Sequence, residues 1–129
     1  MRKVETIASL STRETIQQHS LSIAKVLARA SEIADFCAAH AAAIDRNGAF
    51  PVQEFELMTQ AGLLAVALQP ELGGLGLGID SSLTWETLQL LKQIGRGNLA
   101  VGRIYEGHVN ALQLIQTLGT REQIEAYAS

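Results

Sequence analysis

The chain has 129 residues, enough for one domain that buries roughly two-thirds of its unfolded surface. Its hydrophobic share is 47%, its mean hydropathy +0.15 and its net charge −3, and its ten basic residues are scattered, which excludes a nucleic-acid footprint. No apolar run approaches the roughly 18 residues of a membrane span. The single cysteine, Cys37, leaves no intrachain disulfide and suits a cytoplasmic location.

Residues 1–10 carry no period, and no apolar h-region follows Met1-Arg2-Lys3, so this stretch reads as a disordered leader. Ser11-Thr12-Arg13-Glu14 has the form of a capping box, a serine hydroxyl and a glutamate three residues on. Apolar residues then recur at helical spacing through Ile23, Val26, Ala30, Ile33, Cys37 and Ile44, predicting one long amphipathic helix. Cys37 falls on its inward side as an inert buried thiol. Asn47-Gly48 closes the helix, because both residues tolerate the left-handed conformation.

A second helix is predicted from Pro51 to about Ala61, with Phe55 and Met58 inward, before Gly62 breaks it. Leu63 to Leu68 is short and apolar and fits a helix or a strand equally. Gln69-Pro70-Glu71 leads into a glycine-rich loop, Gly73 to Gly78. That loop lacks the strand, helix and lysine of a phosphate-binding fingerprint, so it reads as a close-packed connection. Asp80 is placed to cap a third helix over Ser81 to Ile94, with Gly95-Arg96-Gly97 as a break. The fourth helix, Asn98 to Leu118, is apolar on several sides, which means burial or a partner. Thr120 to Gln123 repeats the capping-box pattern and opens a fifth. The fold class is therefore all-α, about five helices in an up-down or orthogonal bundle over residues 11–129.

Residue chemistry supplies no active site. His19, His40 and His108 form none of the pairs a metal needs, and no Gly-x-Ser-x-Gly is present. His19 and His40 belong at the solvent edge of the long helix. Glu86 and Glu106 fit either a solvent stripe or a cavity, the stripe being the simpler assignment. No catalytic, metal or cofactor-binding residue is assigned.

Four stretches nevertheless occur in a telling order: Asp45-Arg46-Asn47-Gly48-Ala49-Phe50-Pro51, then Gly62-Leu63-Leu64 with Pro70-Glu71-Leu72-Gly73-Gly74-Leu75-Gly76, then Glu106-Gly107-His108, then Gly119-Thr120-Arg121-Glu122-Gln123. Over roughly residues 30 to 128 this resembles the N-terminal helical domain of the acyl-CoA dehydrogenase family. The resemblance implies a fragment of a three-domain FAD oxidoreductase of fatty-acid type, with a middle β-barrel-like domain and a C-terminal four-helix bundle. It implies α,β-dehydrogenation of an acyl-CoA thioester and a homo-oligomeric parent. Flavin and catalytic carboxylate belong to the other domains, so the chain alone is expected to be inactive and to bind no FAD. The fourth helix of such domains lines the acyl pocket, which makes Gly102, Tyr105, Glu106 and Val109 the pocket candidates. The stretch Gly102-Arg103-Ile104-Tyr105 departs from better-known members, and the bulk of Tyr105 suggests a shorter acyl group or another substrate. Flavin monooxygenases are relatives with the same type of domain. The rival reading is a non-catalytic helical module that dimerises or binds through its apolar helices.

Overall fold

The computed structural model describes the backbone of residues 2–129 and the side chains of residue 19 and residues 22–129. Five helices make up the fold: α1 (Arg2–Asn47), α2 (Val52–Gln60), α3 (Thr84–Gly97), α4 (Leu99–Leu118) and α5 (Arg121–Ala128). Single turns of 3-10 helix occur at Pro70–Leu72 and Ser81–Leu83, and no strand forms among the described residues. The all-α expectation holds.

At 46 residues, α1 is about 69 Å long. It begins at Arg2, ahead of the start placed at Ser11. The expected leader and capping box fall on residues whose side chains lie outside those described. Gly48, at φ 58°, ends the helix as the sequence implies. The inward stripe of α1 is small, with Ala30, Ala34 and Cys37 fully buried. Small residues let α3 lie close. A Cβ on Gly97 would come within 2.3 Å of the Ala34 carbonyl oxygen, and the Arg96 guanidinium reaches Asp35 at 2.9 Å. At the other end Asp80, just before α3, shares a cleft with His19. Helices α1 and α3 therefore run in the same direction.

From there α4 doubles back along α3, with Gly102 seated on the backbone of Gly95. This corrects one expectation. Gly95-Arg96-Gly97 is not a break, because α3 continues through Gly97. These glycines remove side chains where backbones cross, and the turn is made at Asn98. Its side-chain oxygen accepts from the N–H groups of Ala100 (2.9 Å) and Val101 (3.3 Å), capping α4. Asp80 likewise caps, accepting from the Ser82 N–H at 2.8 Å. What it caps is the 3-10 turn at Ser81–Leu83, three residues before α3 proper. The Thr120/Gln123 capping box forms as read.

The core joins α1, α3 and α4 to the irregular stretch between α2 and α3. Met58, Leu63, Leu90 and Ile94 are at most 1% exposed, each such burial stabilising by about 1.5–3 kcal/mol. Phe55 is only half-buried and leans on Phe50, ring centres 5.2 Å apart. Leu63 to Leu68 is neither helix nor strand but a series of turns. Its carbonyls serve the returning loop: Val66 accepts from the N–H groups of Leu75 and Leu77, and Leu68 from that of Gly76. Gly74 lies so close that a Cβ would sit 2.0 Å from the Leu68 oxygen.

The α4 face as a candidate acyl-pocket wall

Helix α4 is apolar on most sides, and its surroundings sort those sides into different tasks. The inner stripe, Val101, Gly102, Tyr105, Val109 and Leu112, is buried in the core. Burial pushes the Tyr105 phenol well above its ordinary value, and its hydroxyl donates to the Leu63 carbonyl at 2.8 Å.

A polar edge beside the core grips the irregular stretch. His108 Nε2 donates to the Leu64 carbonyl at 2.7 Å. Gln116 donates to the Ala67 carbonyl at 2.9 Å and accepts from the Gln69 N–H at 2.8 Å. Gln113 donates to the Gly78 carbonyl at 2.8 Å. Neither these three side chains nor the Tyr105 hydroxyl stood out as a grip in the sequence. Hydrogen-bonding side chains at Tyr105, His108, Gln113 and Gln116, on a helix otherwise rich in apolar residues, are the signal that could have shown it.

The outer stripe is Ala100, Ile104, Gly107, Ala111, Leu114 and Leu118, spaced by alternating fours and threes. Leu114 is 60% and Leu118 78% exposed. Such spacing is what one helix presents to another along a seam. Two shallow grooves follow this face. One, of about 430 Å³, has Ile44, Phe50, Pro51, Ala100 and Ile104 among its walls. The other, of about 360 Å³, is lined by Asn110, Gln113, Leu114, Thr117 and Leu118. Between them Glu106 accepts from the Arg103 guanidinium through Oε2 and from the Asn110 amide through Oε1.

The four pocket candidates therefore divide. Gly102, Tyr105 and Val109 point into this chain's own core. Only Glu106, half-buried, reaches the outer face. The bulk of Tyr105 is used in packing, so it does not project toward a ligand from this surface. Glu86 is half-buried, with Oε2 enclosed and unpartnered among the described residues. His40 lies against Phe36 and bonds its carbonyl oxygen at 2.8 Å.

Cys37 is enclosed, and burial, followed by the negative charge of nearby Glu54, raises its thiol to about 11. A thiol held protonated is a poor nucleophile. Glu54 is itself 3% exposed, a buried carboxylate on α2 that the sequence pattern does not reveal. No group of three or more acidic, histidine or cysteine side chains suited to a metal occurs among the described residues. No helix among them is long and apolar enough to cross a membrane.

The glycine loop is a poor fit for a flavin pyrophosphate. From Gly73 to Leu77 every backbone N–H donates to a carbonyl of this chain. A phosphate cradle needs such groups free.

Comparison with known proteins converges on one family. The profile described as acyl-CoA dehydrogenase, N-terminal domain, matches residues 14–129. Among curated proteins the chain is similar to an acryloyl-CoA reductase (NADH) of Anaerotignum propionicum. The two are 34% identical over 84 residues, covering 65% of this chain and 20% of that protein. The chain thus spans about a fifth of the length of that relative. No solved structure matches it significantly. With this match over most of its length and an all-helical fold to go with it, the chain belongs to the acyl-CoA dehydrogenase N-terminal domain family.

Proposed function

We propose that this chain is the helical wall domain of a flavin-dependent oxidoreductase that interconverts an acyl-CoA thioester and its α,β-unsaturated counterpart. The observation that carries the reading is the outer face of α4. An apolar stripe at helix-packing spacing, with two leucines largely exposed, lies beside Glu106. A lone domain has no use for such a face, whereas a domain that closes one side of an acyl pocket does. The name of the Anaerotignum propionicum relative, an acryloyl-CoA reductase, supports a short unsaturated thioester as the substrate class.

In this reading Glu106 borders the pocket, while Gly102, Tyr105 and Val109 set the position of α4 from behind. FAD and the catalytic carboxylate belong to middle and C-terminal domains elsewhere in a longer polypeptide, and this domain alone is inactive. The parent is a cytoplasmic homo-oligomer, in keeping with a reduced, buried Cys37.

The test is to express the longest reading frame containing this chain and record its visible spectrum with a series of acyl-CoA and enoyl-CoA thioesters. A flavin band that bleaches with one acyl thioester supports the reading. A colourless, stable oligomer overturns it and leaves the helical dimerisation module.

A further inference from the structure

The corner between α1 and α2 holds a charged group with no partner. Glu54, in the first turn of α2, is 3% exposed. Among the described residues the ion pairs lie elsewhere, at Arg96–Asp35, Arg103–Glu106 and Arg121–Glu125, and no hydrogen bond reaches the Glu54 carboxylate. Glu54 lines a groove of about 330 Å³, at the small end of the range for ligand pockets. His40 of α1 lines the same groove. Its Nδ1 bonds the Phe36 carbonyl oxygen at 2.8 Å. A carbonyl only accepts, so Nδ1 carries the hydrogen and Nε2 is left as an acceptor. Phe50, 59% exposed, adds an aromatic ring to the wall. The groove thus sets an anion and an imidazole acceptor beside an aromatic ring, with the amides of Asn47 and Gln53 completing its polar lining. No lysine or arginine among the described residues lines it.

We propose that this groove binds an arginine side chain of another polypeptide, its guanidinium paired with Glu54. An enclosed carboxylate is costly to leave without a counter-charge. A guanidinium answers each feature of the site. Its planar fork matches the carboxylate, a further N–H can donate to His40 Nε2, and its plane can stack on the Phe50 ring. It is also more weakly hydrated than an ammonium, so enclosing it costs less. Free arginine fits less well. Its own carboxylate meets no cation on the groove walls and would lie near Glu54, whereas peptide bonds remove that charge. The arginine therefore belongs to a chain, and the site is independent of the proposed acyl-thioester chemistry.

The experiment titrates the chain, isotope-labelled in its glutamate and histidine side chains, with N-acetyl-arginine amide and follows the Glu54 carboxyl and His40 ring signals by NMR. Both signals are expected to shift along one saturable curve. N-acetyl-citrulline amide keeps the shape and loses the charge, and should bind about tenfold more weakly or worse. Free arginine should also bind more weakly than the capped form. Glu54→Gln should weaken the capped arginine by about tenfold or more. Phe50→Leu, a change at an exposed position, should weaken it by about two- to fivefold. Circular dichroism checks that both variants fold, and the citrulline and Phe50→Leu arms decide the matter if Glu54→Gln does not. Signals that stay still at both residues, or capped arginine and citrulline that bind alike, overturn the site. Free arginine that binds as tightly as the capped form overturns its assignment to a polypeptide.

Discussion

Tyr105 shows how one side chain can couple two parts of the fold. Its ring fills the core from α4, and its hydroxyl is the hydrogen-bond partner of the Leu63 carbonyl in the turn series. Tyr105→Phe keeps the ring and leaves that carbonyl without this donor, so a loss of about 1–2 kcal/mol is expected in urea denaturation. Two buried acids add an alkaline limit. The Cys37 thiol is raised from 9.0 to about 11, and the Tyr105 phenol is raised too. Both are neutral when folded and ionise first in the unfolded chain. The Cys37 contribution is therefore complete below pH 9 and declines as pH rises toward 11. Cys37→Ala should flatten the fall of the urea midpoint across that window. Cys37 was legible from its helical spacing. The Tyr105 hydroxyl bond was not, since its partner lies 42 residues away in a segment without a period.

Among the elements, the α3–α4 corner shows that identical residues can have opposite value. Gly95, Gly97 and Gly102 are all helical, and a helical glycine costs up to about 1 kcal/mol relative to alanine. A Cβ on Gly95 meets nothing within 4 Å, so Gly95→Ala should stabilise by about that amount. Gly97→Ala would drive a methyl into the Ala34 backbone, and Gly102→Ala one to within 2.7 Å of the Gly95 Cα. Both should destabilise by about 1–3 kcal/mol. Urea midpoints of the three single variants test the contrast. A sequence reading cannot separate a glycine that stops a helix from one that admits a neighbour, because the difference lies in what sits across from it. That is why Gly95-Arg96-Gly97 reads as a break in the sequence, whereas Thr120 was legible as a helix start through chemistry contained within a few residues, and Asp80 as a cap, though of the 3-10 turn ahead of α3 and not of α3 itself. Leu63 to Leu68 was undecided for a related reason. Its hydrogen-bond partners come from the loop and from α4, and a short apolar run carries no record of them.

For the molecule as a whole, the apolar surplus of the fourth helix was visible in the sequence, but which apolar residues faced outward was not. Apolar residues on every side leave the hydrophobic pattern without a direction. Only the positions of α1, α3 and the 62–78 stretch show that Leu114 and Leu118 are left uncovered while Val109 and Leu112 are not. Expressed by itself, the chain should therefore self-associate, and Leu114→Glu/Leu118→Glu should return it to a monomer with unchanged helix content. Light scattering with circular dichroism reads both. The same reasoning explains why the pocket candidates divided. Family position selects a helix, but the side of the helix is decided by packing, which left Glu106 outside and Gly102, Tyr105 and Val109 within.

The four α4 side chains that grip the stretch between α2 and α3 have a kinetic consequence. The α3–α4 hairpin closes through neighbours in sequence, with Gly102 on Gly95, and such local contacts form early. The stretch from Gly62 to Gly78 depends on Tyr105, His108, Gln113 and Gln116, its anchors lying 35 to 49 residues downstream. It can take its native path only after that hairpin exists. In a pulse-labelling experiment the amides of α3 and α4 should gain protection first, and those of Leu68, Leu75 and Leu77 in a later phase. Native-state hydrogen exchange should show the mirror image, with these loop amides opening at a lower free energy than α4.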